Sequence, residues 1–232
     1  MYSKLLKAIS RQVKNKNALY HTQRCPDKTW TYVKYSNGQF IECALAEDEK
    51  PQGKVIFILE SPHKDEYRDL DDISPAKGKT GDNFNDSLIN FLVLSQYHKE
   101  CFNSGLYEVV IMNAVQYQTS LGLDPKEYRT VIFQLSWLAF ARNDFIERLR
   151  SHLIGFEKQN VIFNACTKGN VLKIKQARNL LSGLKLTKCV CSKIVLSKEK
   201  VNLNDLISSA VGEAGFSSYS SSHPVTWNKM IS

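Results

Sequence analysis

Three short, continuous apolar runs punctuate the chain: 55–59 (VIFIL), 108–115 (EVVIMNAV) and 160–165 (NVIFNA). Runs of this length without polar alternation predict strands buried on both faces. Between them the pattern changes to helical spacing. Phe84, Leu88, Phe91 and Leu92 share one face of a helix expected over 82–97, and a second helix is expected over 130–154. Strands alternating with helices imply parallel βαβ units, hence a helix–sheet–helix sandwich. A helix over 170–182, the segment 188–196 (KCVCSKIVL) and a short helix near 203–211 continue the alternation, and the serine-rich stretch 215–227 follows. Upstream, Leu5, Leu6, Ile9 and Val13 form a helical stripe, and 29–45 reads as a hairpin turning at Asn37-Gly38. No domain-scale linker or repeat interrupts 1–232, so one domain is expected: an extension over 1–53 and a core over 54–227.

Composition narrows the partners. Of 232 residues 43% are hydrophobic, enough for a substantial core, and the net charge of +8 favours polyanions. The cysteines at 25, 43, 101, 166, 189 and 191 form no Cys-x-x-Cys pair, which suits reduced thiols in a cytoplasmic compartment. The five histidines are too scattered to complete a metal cluster. No apolar run reaches membrane-spanning length, so no membrane partner is expected. Residues 1–26 lack acids, a feature shared with transit peptides, but their apolar stripe reads as a domain helix.

In parallel sheets ligands bind at the carboxyl ends of strands. Polar residues gather there: Glu60-Ser61-Pro62-His63 after the first run, Asn113 in the second and Asn164 in the third. The nearby 74–81 (SPAKGKTG) contains Gly-Lys-Thr, as phosphate-binding loops do. A P-loop needs a glycine five positions before Gly78, where the chain has Ile73. The loop also begins well past the strand end, so the nucleotide reading fails.

Taken in order, these motifs resemble the uracil-DNA glycosylase superfamily, especially its branch with a Gly-Glu-Ala-Pro-Gly first motif. Residues 59–62 (LESP) resemble that motif, and 75–81 (PAKGKTG) are similar to its Pro-Phe-Val-Gly-Arg-Ala-Gly motif. Residues 109–115 resemble the strand ending in a base-reading asparagine, 161–170 (VIFNACTKGN) a later strand and turn, and 223–226 (HPVT) the late His-Pro motif. The resemblance implies a three-layer α/β/α sandwich around a mostly parallel four-stranded sheet, acting as a monomer on DNA without cofactor or metal. The branch's iron–sulfur cysteines are absent, so no cluster is expected.

By that resemblance Glu60 and His223 are the catalytic pair. Glu60 would stabilise an oxocarbenium-like sugar and activate water, and His223 would donate a hydrogen bond to the leaving base. Asn113, Ser61, His63 and Ala76 would line the base pocket. Ala76 stands where the family stacks an aromatic ring, and His63 where some relatives carry a bulkier tyrosine. Both changes imply room for a base larger than uracil. Lys77, Gly78, Lys79, Thr80 and Gly81 would contact DNA phosphates, with Trp227 or Val225 as the wedge filling the vacated stack.

Each residue also has a plain structural alternative: a strand-end carboxylate for Glu60, a surface histidine for His223, a strand-closing polar group for Asn113, a solvated loop for the lysines, a core residue for Trp227. The acidic run Asp65, Glu66, Asp69, Asp71 and Asp72 reads as a solvated loop, not a magnesium site. The resulting expectation is a glycosylase removing a flipped-out, bulky modified pyrimidine, as in defence against viral DNA. Uracil repair and a non-catalytic DNA-binding protein of the same fold are the alternatives.

Overall fold

The computed structural model describes residues 21–119, 129–167, 169 and 202–227. The fold is α/β: a mixed six-stranded sheet with helices packed on both faces. The hairpin forms β1 (Lys28–Ser36) and β2 (Gln39–Cys43), and Asn37 and Gly38 take φ of 51° and 79° at its turn. β3 (Gly53–Leu59) follows, buried throughout, then α1 (Lys79–Lys99) and β4 (Gly105–Asn113). One long helical stretch comes next: α2 (Arg129–Ser136), a π-helical turn (Trp137–Ala141) and α3 (Arg142–Leu153). β5 (Asn160–Asn164), α4 (Leu203–Ala214) and the two-residue β6 (Tyr219–Ser220) complete the described elements.

The strand order is β2-β1-β4-β3-β5-β6. β4, β3, β5 and β6 run parallel, and β1 adds to β4 antiparallel, with Val33 opposite Tyr107. The four-stranded sheet expected from sequence is therefore corrected to a mixed six-stranded one, because the hairpin joins the sheet instead of standing beside it. The serine-rich stretch supplies β6, pairing Tyr219 with Phe163. The N-terminal helix, the helix over 170–182 and the segment 188–196 lie outside the described residues.

Period-two alternation divides the core. Ile56, Ile58, Val110, Met112 and Ile162 point to the face covered by α2, α3 and α4. Val55, Phe57, Val109, Ile111 and Phe163 point to the other, against Phe84, Leu88, Phe91 and Leu92 of α1. Burial of both faces is what makes these strands continuous apolar runs. Among the described residues no helix is long and apolar enough to cross a membrane.

Candidate active site

The backbone at the end of β3 is pinned between its neighbours. Ala114 N–H donates to Leu59 O at 2.8 Å, Val115 N–H to Glu60 O at 3.1 Å, and Ala165 N–H to Ile58 O at 3.0 Å. This fixes Glu60 on the floor of a cleft of about 270 Å³ at the carboxyl ends of β3 and β5. Ser61, Pro62, His63, Asp65 and Glu66 form one wall, Lys77, Lys79 and Thr80 another. Arg129, Thr167, His223 and Val225 close the remaining side.

Glu60 is 6% exposed. Its Oε1 lies 3.0 Å from Arg129 Nε, an ion-pair distance, though the two atoms are not aligned for a hydrogen bond. Thr167 joins the pair: its hydroxyl donates to Glu60 Oε2 at 3.2 Å and accepts from Arg129 Nη2 at 3.2 Å. Burial raises the Glu60 pKa above the ordinary carboxylate value, against the opposing pull of Arg129 and Thr167. The result is a carboxylate with heightened proton affinity beside a fixed cation.

His223 precedes a 3-10 turn (Pro224–Thr226), and its Nδ1 accepts from Val225 N–H at 3.3 Å. That bond assigns the ring proton to Nε2, which makes Nε2–H the donor of the ring. Burial and the Arg129 charge lower its pKa to about 4, so the ring is neutral at physiological pH. Across the cleft, His63 N–H donates to Glu66 Oε2 at 2.6 Å, and His63 Nδ1 lies 3.3 Å from Asp65 Oδ2. Burial raises the Glu66 carboxyl to about 7. The expected solvated acidic loop is thus corrected at Glu66, which is buried in the cleft wall. Ser61 Oγ and Thr119 Oγ1 are hydrogen-bonded at 2.5 Å.

Lys77 is held by Asp72, and Lys79 and Thr80 open α1 toward the cleft. Gly78 caps that helix at φ 71°, a backbone shape that excludes side chains. Gly81 packs against Ala76 beneath. The glycines therefore shape the basic wall without lining it.

Three expected site residues sit elsewhere. Asn113 is 2% exposed, with Nδ2 3.7 Å from Cys25 Sγ and its carbonyl accepting from Arg148 Nη2 at 3.0 Å. The segment 21–27 lies over it, so Asn113 does not line the cleft. Ala76 is 1% exposed and its methyl joins the α1 face of the core, so it does not enlarge the cleft. Trp227 is also 1% exposed, stacked on Phe91 at 4.2 Å, and is a core anchor, not a wedge. It steadies the turn carrying His223, since its Nε1–H donates to Ser222 O at 3.2 Å.

Arg129 and Thr167 escaped the sequence reading. One signal was present: Arg129 is the single charged residue in the apolar stretch Arg129–Ser136, and a cation in such surroundings calls for a carboxylate partner. Among the described residues no group of three or more His, Cys, Asp or Glu could hold a metal. Comparison with family models, curated proteins and solved structures finds no match, so the site's own geometry carries its interpretation.

Proposed function

We propose that this chain is a DNA glycosylase that hydrolyses the N-glycosidic bond of a flipped-out modified pyrimidine and leaves an abasic site. One observation carries the reading: a buried carboxylate, Glu60, and a neutral histidine, His223, share one cleft under a basic wall. The parallel order β4-β3-β5-β6 and the cleft's place at the strand ends support the uracil-DNA-glycosylase-like architecture that the motifs resemble.

In the reaction the C1′–N bond breaks and its electron pair leaves with the base. Positive charge grows on the sugar, where the Glu60 carboxylate opposes it. A water oxygen bonds to C1′, Glu60 takes the water's proton, and the free base regains a proton from solvent. The raised proton affinity of Glu60 suits it to that transfer. His223 Nε2–H donates to the base carbonyl as negative charge accumulates there. Lys77, Lys79 and Thr80 hold the flanking phosphates.

Among the described residues the cleft is lined by no phenylalanine, tyrosine or tryptophan. Within the described lining, a pyrimidine bearing polar substituents meets hydroxyls, carboxyls and His63. This favours a bulky modified base over uracil and replaces the enlarged-pocket argument from Ala76.

The ion pair of Glu60 with Arg129 and the cover over Asn113 favour a second reading, a DNA-binding protein without catalysis. An abasic-site assay separates the two. Single- and double-stranded oligonucleotides carrying uracil, 5-hydroxymethylcytosine or its glucosylated form are incubated with protein and treated with hot alkali. Strand breaks at the modified cytosine, reduced about a hundredfold by Glu60→Gln or His223→Ala with DNA retention intact, are expected. Breaks at uracil alone move the assignment to uracil repair. Retention without breaks supports the binding protein.

A further inference from the structure

Arg129 has a geometry that pairing alone does not explain. Two of its three guanidinium nitrogens face the Glu60–Thr167 pair, Nε at 3.0 Å from Glu60 Oε1 and Nη2 at 3.2 Å from Thr167 Oγ1. The third, Nη1, has no hydrogen-bond partner among the described residues. The side chain keeps 24% of its surface exposed in a cleft that His223 also lines. A cation whose only task was to neutralise Glu60 would gain from a hydrogen-bonded alignment with it, which this one lacks, while part of its side chain stays open to the cleft.

We propose that Arg129 is a further catalytic residue, whose guanidinium stabilises the negative charge of the departing base together with His223. The inference rests on the glycosylase reading. Before bond cleavage the guanidinium is balanced by Glu60. As the sugar becomes cationic it takes over Glu60's charge, and Arg129 is then left to oppose the charge growing on the base. The cation therefore acts more strongly in the transition state than in the ground state, which is the condition for raising kcat. Arg129 acts as a hydrogen-bond donor and gives up no proton. The reaction keeps its balance: water supplies the hydroxyl to the sugar and, in net terms, the proton to the base. Thr167 is a positioning residue in this scheme, since its single hydroxyl fixes Glu60 and Arg129 relative to each other.

The test is a double-mutant cycle in single-turnover kinetics on the duplex substrates named above. Arg129→Gln should lower the rate by about a hundredfold, with DNA affinity changed by less than about threefold, as for loss of one transition-state donor. Arg129→Lys should recover part of that loss, the cation remaining without its planar fork. The deciding comparison is Arg129→Gln in a Glu60→Gln background. A further fall of about tenfold or more is expected, because Arg129 acts on the base directly. No further fall would show that Arg129 works only through Glu60 and would overturn the inference while leaving the glycosylase reading intact. Thermal melts of each variant exclude loss of fold as the cause. Wild-type protein that breaks no substrate would overturn both, and a silent enzyme is distinguishable from an active one indifferent to Arg129.

Discussion

Glu66 shows how one side chain can serve the site and weaken the fold. Its carboxyl accepts from His63 N–H at 2.6 Å and so shapes the turn that presents Ser61 and His63. Its folded pKa of about 7 stands above the ordinary 4.5, with burial the largest cause. From about pH 4.5 to 7 the folded state therefore holds more protons than the unfolded chain, and stability falls as pH rises through that window. The full cost above pH 7 is roughly 3 kcal/mol. Glu66→Gln keeps the acceptor and removes the charge, so it should raise stability at pH 8 by a large part of that amount and flatten the pH dependence. Urea denaturation at pH 5 and pH 8 checks it; an unchanged difference between the two pH values would show that Glu66 titrates normally. At this scale the sequence was legible where a residue directly follows a buried strand, as Glu60 and Ser61 do. It was not legible where another segment decides exposure. Asn113 ends β4 as expected, yet residues 21–27 lie over it, and nothing local to Asn113 signals that cover.

The start of α1 was legible as a turn but not as a packing contact. Two glycines in 75–81 suggested a pocket wall, and the helix does present Lys79 and Thr80 to the cleft. What demands Gly81 is closeness: a Cβ there would stand 2.0 Å from Ala76 O, and Ala76 itself is held at φ 60°. The clash is with backbone, which has no flexible end to give way. Gly81→Ala should therefore cost about 2 kcal/mol or more despite the better helix propensity of alanine. It should also weaken DNA retention by moving Lys79 and Thr80. A melting temperature at or above wild type would contradict the packing account. Elsewhere, strands and helices with several turns of pattern were readable, and β3, β4, β5 and α1 fall close to their expected spans. β6 was not, because a strand that pairs only Tyr219 and Ser220 is too short to show periodicity.

Across the whole molecule one buried ion network ties the segment before the sheet to helices more than a hundred residues away. Asp27 accepts from Arg148 Nη1 at 2.7 and 2.8 Å and from Gln116 Nε2 at 2.8 Å, and its Oδ2 lies 3.1 Å from His152 Nε2. Arg148 in turn donates to Asn113 O, and Arg24 pairs with Asp144 on α3. Cys25 N–H donates to Gln116 O at 2.8 Å, so the segment continues the sheet's hydrogen bonding past the end of β4. No pattern in 21–27 announces this, since the partners are spread from Asn113 to His152 and converge only in the fold. Burial alone would raise the Asp27 pKa, but its partners outweigh it and hold the carboxyl below the ordinary value. Its stabilising contribution is thus complete above the ordinary carboxylate pKa and is lost as pH falls toward the depressed one. Asp27→Asn leaves Arg148 buried without its counter-charge and should cost about 3 kcal/mol at neutral pH. Amide exchange at Cys25 should quicken more than exchange in β3, because the strap opens before the sheet does. Adding Arg148→Met, which removes the orphaned cation, should recover part of the loss; no recovery would mean that Asp27 holds the segment by hydrogen bonds alone, without a charge component.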